Sequence, residues 1–332
     1  MTGFAEHFDL KIPLALAPMA LAAGGALASA CAKAGALGLV GGGYGDLEWT
    51  AREYQLAVDN ISDDAAAMGR LGCGFISWKL AEDSAALDWL IANHKPAAIM
   101  LSFGDPRPYA KRILDSGAAL ICQIHSLKDL PLAIEAGAKV IVAQGTEAGG
   151  HGATQDSGRG TFAFIPEVAD WIAANAPGTY LLGAGGIADG RGVAAALALG
   201  ADGVMMGSRL WATKECLAAP KAKEIVAETD GDGTARSAVF DILRRKNWPG
   251  IFDFRAIRND IHREWENRID QLKNAPEEAR ADYEEGARNK DYSRVHIGIG
   301  ESIGLITDIQ DAATLIDTIR TETDRALQRI GG

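Results

Sequence analysis

Eight short apolar runs, each followed by a helix-length stretch, limit what this chain can fold into more than any other feature. They are Leu14–Ala17, Leu37–Val40, Gly72–Ile76, Ala98–Ser102, Ala119–Ile124, Val140–Ala143, Tyr180–Ala184 and Gly203–Met206. Each is apolar on both faces, so each reads as a strand covered on both sides, as in a parallel sheet flanked by helices. Helical patterns fall between them, at Leu21–Ala34, Ala81–Asn93, Lys128–Ala136, Ile165–Ala174 and Gly190–Leu199. Turns such as Ala34-Gly35-Ala36, Ser116-Gly117-Ala118 and Ala136-Gly137-Ala138 precede several strands. Glycine there closes a helix in the left-handed conformation. Eight parallel strands close an α/β barrel. The competing open, doubly wound sheet places a glycine fingerprint after its first strand. Here that strand ends Ala17-Pro18-Met19-Ala20, without the fingerprint, which favours the barrel.

After Met206 the rhythm stops. Lys214–Asn289 is charged and helix-rich, with a turn at Trp248-Pro249-Gly250. Gly298-Ile299-Gly300-Glu301-Ser302 then precedes a final amphipathic helix near Ile306–Ile330. The expected division is a barrel over residues 1–213 and a helical extension over 214–332, packed on the barrel near its mouth. With 332 residues, 48% of them hydrophobic, a large core is available. The net charge of -11 argues against nucleic acid and anionic membrane as partners. The apolar stretch Leu14–Leu39 is broken by Pro18, Gly24-Gly25, Lys33 and Gly35, and makes a poor membrane span. No basic, apolar leader opens the sequence, so the expectation is a soluble cytoplasmic protein. Cys31, Cys73, Cys122 and Cys216 are scattered without a CxxC pair and read as buried thiols; no metal site is expected.

An α/β barrel keeps its chemistry at the C-terminal ends of its strands, and three of these ends are glycine-rich. The sixth run leads into Ala143-Gln144-Gly145-Thr146-Glu147-Ala148-Gly149-Gly150-His151-Gly152. His151 reads as a loop residue with small neighbours that leave a ligand room to reach a proton-transferring ring. Five other histidines occur, and a single histidine is more often structural. The seventh run leads into Gly185-Gly186 and the eighth into Gly207-Ser208. Bare amides at these two ends form a candidate phosphate cradle, the alternative being ordinary tight turns. At the first strand end, Met19 beside Pro18 reads either as a contact for a flat ring or as a plain core methionine. Gln123 and His125 share one side of the fifth strand. Gln123 could hydrogen-bond a ring heteroatom; His125 is either a second site residue or a satisfied loop histidine. Gly158, Arg159 and Gly160 are expected to shape the loop, and Thr161 to cap the next helix.

The run Ala143–Gly152 resembles the signature of the nitronate monooxygenases, formerly 2-nitropropane dioxygenases, which are FMN-dependent TIM-barrel enzymes. The resemblance extends to Ala17-Pro18-Met19, Gly41–Gly45, Gly183–Arg191, Met206–Arg209, Val239–Ile242 and Arg255–Asn259. It implies a (β/α)8 TIM barrel with FMN across its mouth. The phosphate would lie at Gly185, Gly186, Gly207 and Ser208. The ring would lie near Ala17, Pro18 and Met19, touching Gln123 and the Ala148-Gly149-Gly150 backbone. The family's active-site histidine falls on His151, the base for a neutral nitroalkane. The implied reaction oxidises a nitronate with dioxygen to a carbonyl compound and nitrite. Some members place a lysine where Gln123 stands, which affects the flavin's potential. The partners implied are a small-molecule substrate and dioxygen, and a homo-oligomer is compatible with the sequence. The competing functions are an NAD(P)H-dependent flavin reductase acting on a quinone or enoyl thioester, a flavin-free barrel acting on a sugar phosphate, and a non-catalytic flavin carrier.

Overall fold

The computed structural model describes residues 2–274 and 276–331. Eight parallel strands form one sheet: β1 (Leu14–Leu16), β2 (Gly38–Gly43), β3 (Leu71–Ile76), β4 (Ala98–Ser102), β5 (Ala119–Ile124), β6 (Val140–Gln144), β8 (Tyr180–Ala184) and β9 (Gly203–Met206). The intervening β7 (Gly150–Ala153) lies outside it. Sheet order runs β1-β9-β8-β6-β5-β4-β3-β2. A parallel bridge between Ala15 and Leu37 joins its two ends, with Leu16 N–H donating to Leu37 at 2.8 Å and Leu37 N–H donating to Leu14 at 2.9 Å. The sheet is therefore a closed TIM barrel, with no exposed edge.

Alternation along each strand assigns its side chains. Leu14, Leu16, Ile99, Leu101, Leu120, Cys122, Ile141 and Ala143 belong to the layer between barrel and helices. Ala15, Leu37, Leu39, Ala98, Met100, Ile121, Val140, Val142, Leu182 and Met205 fill the interior. Phe4, Phe8 and Leu10, in and after the helix Gly3–His7, join this inner cluster. Two residues beyond Ala15, Met100, Ile121, Val142, Leu182 and Met205, on six of the eight strands, lie Ala17, Ser102, Gln123, Gln144, Ala184 and Gly207. The period of two puts them on the inside as the top layer, and all six line one cavity.

The final helix differs from expectation in start and in membership. It spans Ala312–Gly331, preceded by a 3-10 turn at Glu301–Leu305. It packs against the helices Gly190–Ala198 and Gly25–Ala34, so it takes the eighth place in the helical ring. Close approach there depends on Gly190, where a Cβ would lie 2.3 Å from the Thr323 nitrogen. Residues from Gly207 to Asp311 are thus an insertion in the last βα unit, and the chain beyond 213 is not all extension.

The insertion is also not purely helical. β10 (Thr234–Ser237) and β11 (Phe252–Ile257) pair antiparallel, and β7 pairs with β11. His151, expected in a loop, is therefore a strand residue opposite Phe254. Gly-His-Gly-Ala has little strand preference of its own, and β11 supplies the ladder that orders it. The insertion has its own core, including Val239, Phe240, Leu243, Phe254, Ile261 and Leu272. The first ring helix starts at Gly25, not Leu21, because Leu21 has a left-handed φ of 60°.

Candidate active site

A cavity of about 390 Å³ opens at the C-terminal ends of the barrel strands, between the top layer and the insertion. The twelve site residues expected from sequence (Ala17, Pro18, Met19, Gln123, Ala148, Gly149, Gly150, His151, Gly185, Gly186, Gly207 and Ser208) all line it. Glycine lets several chain segments close around this space. A Cβ on Gly74 would come 2.3 Å from Pro18 Cγ, and one on Gly41 would come 2.2 Å from the Met19 carbonyl oxygen. The turn after β1 therefore lies directly on the backbones of β2 and β3.

The two late corners present unused donors. Gly185 and Gly186 have φ of +101° and +71°, which side chains rarely adopt. Among the described residues, the N–H groups of Gly185, Gly186, Gly207 and Ser208 have no protein acceptor. No side chain caps the short helix that starts at Ser208. Such converging amides suit an anion. The Ser208 hydroxyl accepts from Gly300 N–H at 2.9 Å, which ties this corner to the insertion.

The floor carries a polar ladder across β4, β5 and β6. Ser102 Oγ donates to Gln123 Oε1 at 3.3 Å, and Gln123 Nε2 donates to Gln144 Oε1 at 3.0 Å. His125 Nε2 lies 3.0 Å from Gln123 Nε2 and 2.8 Å from Gln144 Oε1. His125 is itself buried and stacks on Phe103. Burial pulls its pKa down to about 4, against the opposing hydrogen bond to the Gln144 oxygen, so the ring is neutral. It stands behind the cavity, and its Nε2 hydrogen-bonds one of the two amides beside it, donating to Gln144 Oε1 or accepting from Gln123 Nε2 according to the tautomer. Phe103, which lines the cavity, holds a left-handed φ of 60°, a strain of about 1–3 kcal/mol.

His151 forms the opposite feature, a buried acid–base pair. Its Nε2 lies 2.9 Å from Asp241 Oδ1 and 3.1 Å from Oδ2, with both side chains less than a tenth exposed. Asp241 comes from the helix Val239–Leu243 of the insertion. Trp248 stacks on the imidazole, centroids 3.5 Å apart and planes at 13°. Phe254 meets it edge-on at 4.7 Å. Burial lowers the His151 pKa, and Asp241 partly restores it. A neutral ring whose Nε2–H donates a hydrogen bond to the carboxylate keeps Nδ1 as the basic nitrogen.

The loop between β6 and β7 is pinned by buried charge. Arg236 donates to the Ala148 carbonyl at 2.7 Å and pairs with Asp253 at 2.8 Å. Arg255 donates to the Thr146 carbonyl at 3.2 Å and pairs with Glu301 at 2.8 Å. Glu147 accepts from Thr161 N–H at 2.8 Å. Thr161 is thus the first helical residue, held by Glu147, while Gly160 is the N-cap, so the expected cap lies one residue later than the real one. Arg159 pairs with Glu167.

Sequence reasoning missed Asp241, Tyr44, Trp248, Phe254, Arg244 and His296 as wall or partner residues. Asp241 lies 90 residues from His151, and no local pattern links them. Two signals bear on the missed residues: Tyr44 and Asp241 fall inside the Gly41–Gly45 and Val239–Ile242 stretches that resemble the family, and the alternation Phe252-Asp253-Phe254-Arg255 marks a half-buried strand.

A nitronate monooxygenase family profile matches residues 79–322. A nitronate monooxygenase of Neurospora crassa is 31% identical, the match covering 95% of this chain and 89% of that protein. The nitronate monooxygenase npaC of Metarhizium robertsii is 33% identical over 96% of this chain and 93% of its own length. FabK from Thermotoga maritima has the same fold, with a TM-score of 0.83 at 24% identity, covering 100% of this chain and 99% of that one.

Proposed function

The chain belongs to the nitronate monooxygenase family of oxidoreductases, and from that premise we propose that it oxidises alkyl nitronates with dioxygen to a carbonyl compound and nitrite, using FMN held in the barrel-mouth cavity. The observation that carries this reading is the buried His151–Asp241 pair, set in the wall of a cavity that also holds two corners of free amides. The residues fit the cofactor. Gly185, Gly186, Gly207 and Ser208 offer N–H donors to its phosphate, and a Cβ on Gly207 would project toward Ala17 and Met19 at 3.6–3.7 Å, into the space a ligand needs. Gln123 and Gln144 present amides suited to a ring with heteroatoms at its edge. Bound there, FMN supplies the electron acceptance and the reaction with dioxygen.

The protein's own work is positioning and proton transfer. Nitronates already carry their charge and need no base. A neutral nitroalkane must first lose its α-proton, and His151 Nδ1 takes it. Asp241 holds the ring in the tautomer that leaves Nδ1 free and stabilises the imidazolium that forms. The stack on Trp248 fixes the plane of the ring. The aromatic side chains Phe103, Trp248 and Phe254 exclude water from the wall around it.

His151→Asn tests the assignment. The variant is expected to keep FMN and lose most turnover of nitroethane, while preformed ethyl nitronate is still oxidised. Equal, mild losses on both substrates would remove the base role. Rapid anaerobic bleaching of the flavin by NADH or NADPH, with no nitronate turnover, would replace this reading by a flavin reductase.

A further inference from the structure

Among the described residues, Arg244 is the one lysine or arginine that lines the cavity. Three arginines of the insertion are paired, Arg236 with Asp253, Arg255 with Glu301 and Arg245 with Glu277, while Lys246 lies over the Tyr44 ring, 4.3 Å from its centroid, and does not line the cavity. Arg244 has no carboxylate partner among the described residues, and its Nη1 is buried without a hydrogen-bond acceptor. Among the described residues the cavity's one acidic lining residue, Glu147, is already taken by the Thr161 amide and hydroxyl. An unmatched, buried guanidinium N–H is costly in a resting protein. It becomes favourable when a ligand brings the missing acceptor.

The guanidinium lies over the Phe254 ring, 5.4 Å from its centroid. The same ring meets His151 edge-on at 4.7 Å. Arg244 and His151 therefore flank one aromatic side chain in one chamber. The glycine corners are a separate place: among the described residues, Arg244 makes no hydrogen bond to Gly185, Gly186, Gly207 or Ser208. His296 stands on the same wall, its Nδ1 2.7 Å from the Tyr283 hydroxyl.

We propose that Arg244 is the anion-binding residue for the substrate, receiving the planar two-oxygen anion of the nitronate group on its guanidinium fork. This rests on the nitronate reading above. A nitronate spreads its charge over two oxygens on one nitrogen, the geometry a guanidinium matches with paired N–H donors. The α-carbon is one bond from that nitrogen, so an oxygen pair held at Arg244 leaves the carbon in the chamber that contains His151. Selection for the ionised substrate then resides in the insertion, apart from the phosphate cradle in the barrel.

Sodium nitrite, itself a planar two-oxygen anion, is the direct probe. The FMN-loaded enzyme is titrated with nitrite by calorimetry, and KM is measured for ethyl nitronate and neutral nitroethane. Arg244→Met, which keeps much of the apolar stem, is expected to weaken nitrite binding and raise KM for ethyl nitronate by about 10- to 100-fold, the range for a lost charge-assisted bond. KM for nitroethane should change far less. Arg244→Lys should fall between, since it keeps the charge and loses the fork; it also serves if the methionine variant does not fold. Unchanged nitrite affinity in a folded Arg244→Met enzyme overturns the proposal. So does loss of FMN, which would assign the residue to the cofactor, or a KM effect confined to nitronates carrying a second acidic group. Because the nitrite titration needs no turnover, a wild-type enzyme that binds nitrite through Arg244 yet oxidises no nitronate would refute the function and leave the anion site standing.

Discussion

Asp241→Asn isolates what the carboxylate contributes to the base. The Nε2–Oδ1 distance of 2.9 Å and the burial of both side chains make this a charge-assisted hydrogen bond in a poorly solvated wall. Asparagine can still accept the Nε2 proton through its amide oxygen, so the ring keeps its orientation and only the charge is lost. A bond of this kind contributes about 1.5–3 kcal/mol, and the imidazolium formed in proton abstraction depends on it most. At about 1.4 kcal/mol per decade, kcat/KM for nitroethane should fall about 10- to 150-fold. Ethyl nitronate, which needs no base, should be nearly unaffected. The pH profile supplies a second readout. His151 acts as the neutral form, so the nitroethane rate rises with pH through its pKa. Burial already lowers that pKa and Asp241 opposes the shift. Without the carboxylate the pKa drops further, and the acid limb moves to lower pH while the plateau falls. Oxygen uptake measured across pH with both substrates checks this. An acid limb that moves up, or equal losses on both substrates, would refute the reasoning.

Two further outcomes concern stability. Gly190→Ala places a Cβ 2.3 Å from the Thr323 nitrogen, so the final helix must shift; a loss of about 1–3 kcal/mol in urea unfolding is expected, and an unchanged midpoint would show that this helix does not close the ring. His125, whose folded pKa is lowered to about 4 by burial, makes the protein acid-sensitive. Its contribution is intact above the unfolded value near 6.5 and is lost as pH falls from there toward 4, by on the order of 3 kcal/mol. His125→Gln should flatten the pH dependence of unfolding in that window, and an equally steep dependence would count against a neutral buried ring.

The barrel was legible because its strands are buried on both faces. Runs such as Ala98–Ser102, Ala119–Ile124 and Tyr180–Ala184 end where composition says they end. The period of two then carries Gln123 inward from Ile121 without any tertiary information. The same rule placed His125 beside Gln123, and the two do touch. It could not tell that His125 lies behind the cavity, because depth along the barrel axis depends on how the strand ends curve over it. β7 and β10 were illegible for a different reason. Gly150-His151-Gly152-Ala153 and Thr234-Ala235-Arg236-Ser237 contain little apolar surface, and they become strands through pairing with β11. Asp241, Trp248 and Arg244 sit in a charged stretch whose fold is decided by its contact with the barrel.

That contact explains how the buried His151–Asp241 pair is assembled from residues so far apart. The end of the insertion, Gly298–Ser302, threads between the β6 loop and the corner after β9. Gly300 N–H donates to Ser208, and Glu301 N–H donates to the Glu147 carbonyl at 3.0 Å. The approach requires glycine on both sides, since a Cβ on Gly149 would lie 2.4 Å from Gly300 N and one on Gly300 would lie 2.7 Å from the Glu147 carbonyl oxygen. A single strap therefore sets the amide corner and the histidine strand relative to each other. β11 then aligns His151 with Phe254, and the helix between β10 and β11 delivers Asp241 to the ring. The barrel offers a cradle for an anion and a floor of amides. The insertion supplies Asp241 and Trp248 to His151 and, among the described residues, Arg244 as the one lysine or arginine of the wall. Substitutions in the barrel corners should be read in cofactor affinity, and those in the insertion in substrate preference. A substitution in the strap at Gly149 or Gly300 should disturb both at once.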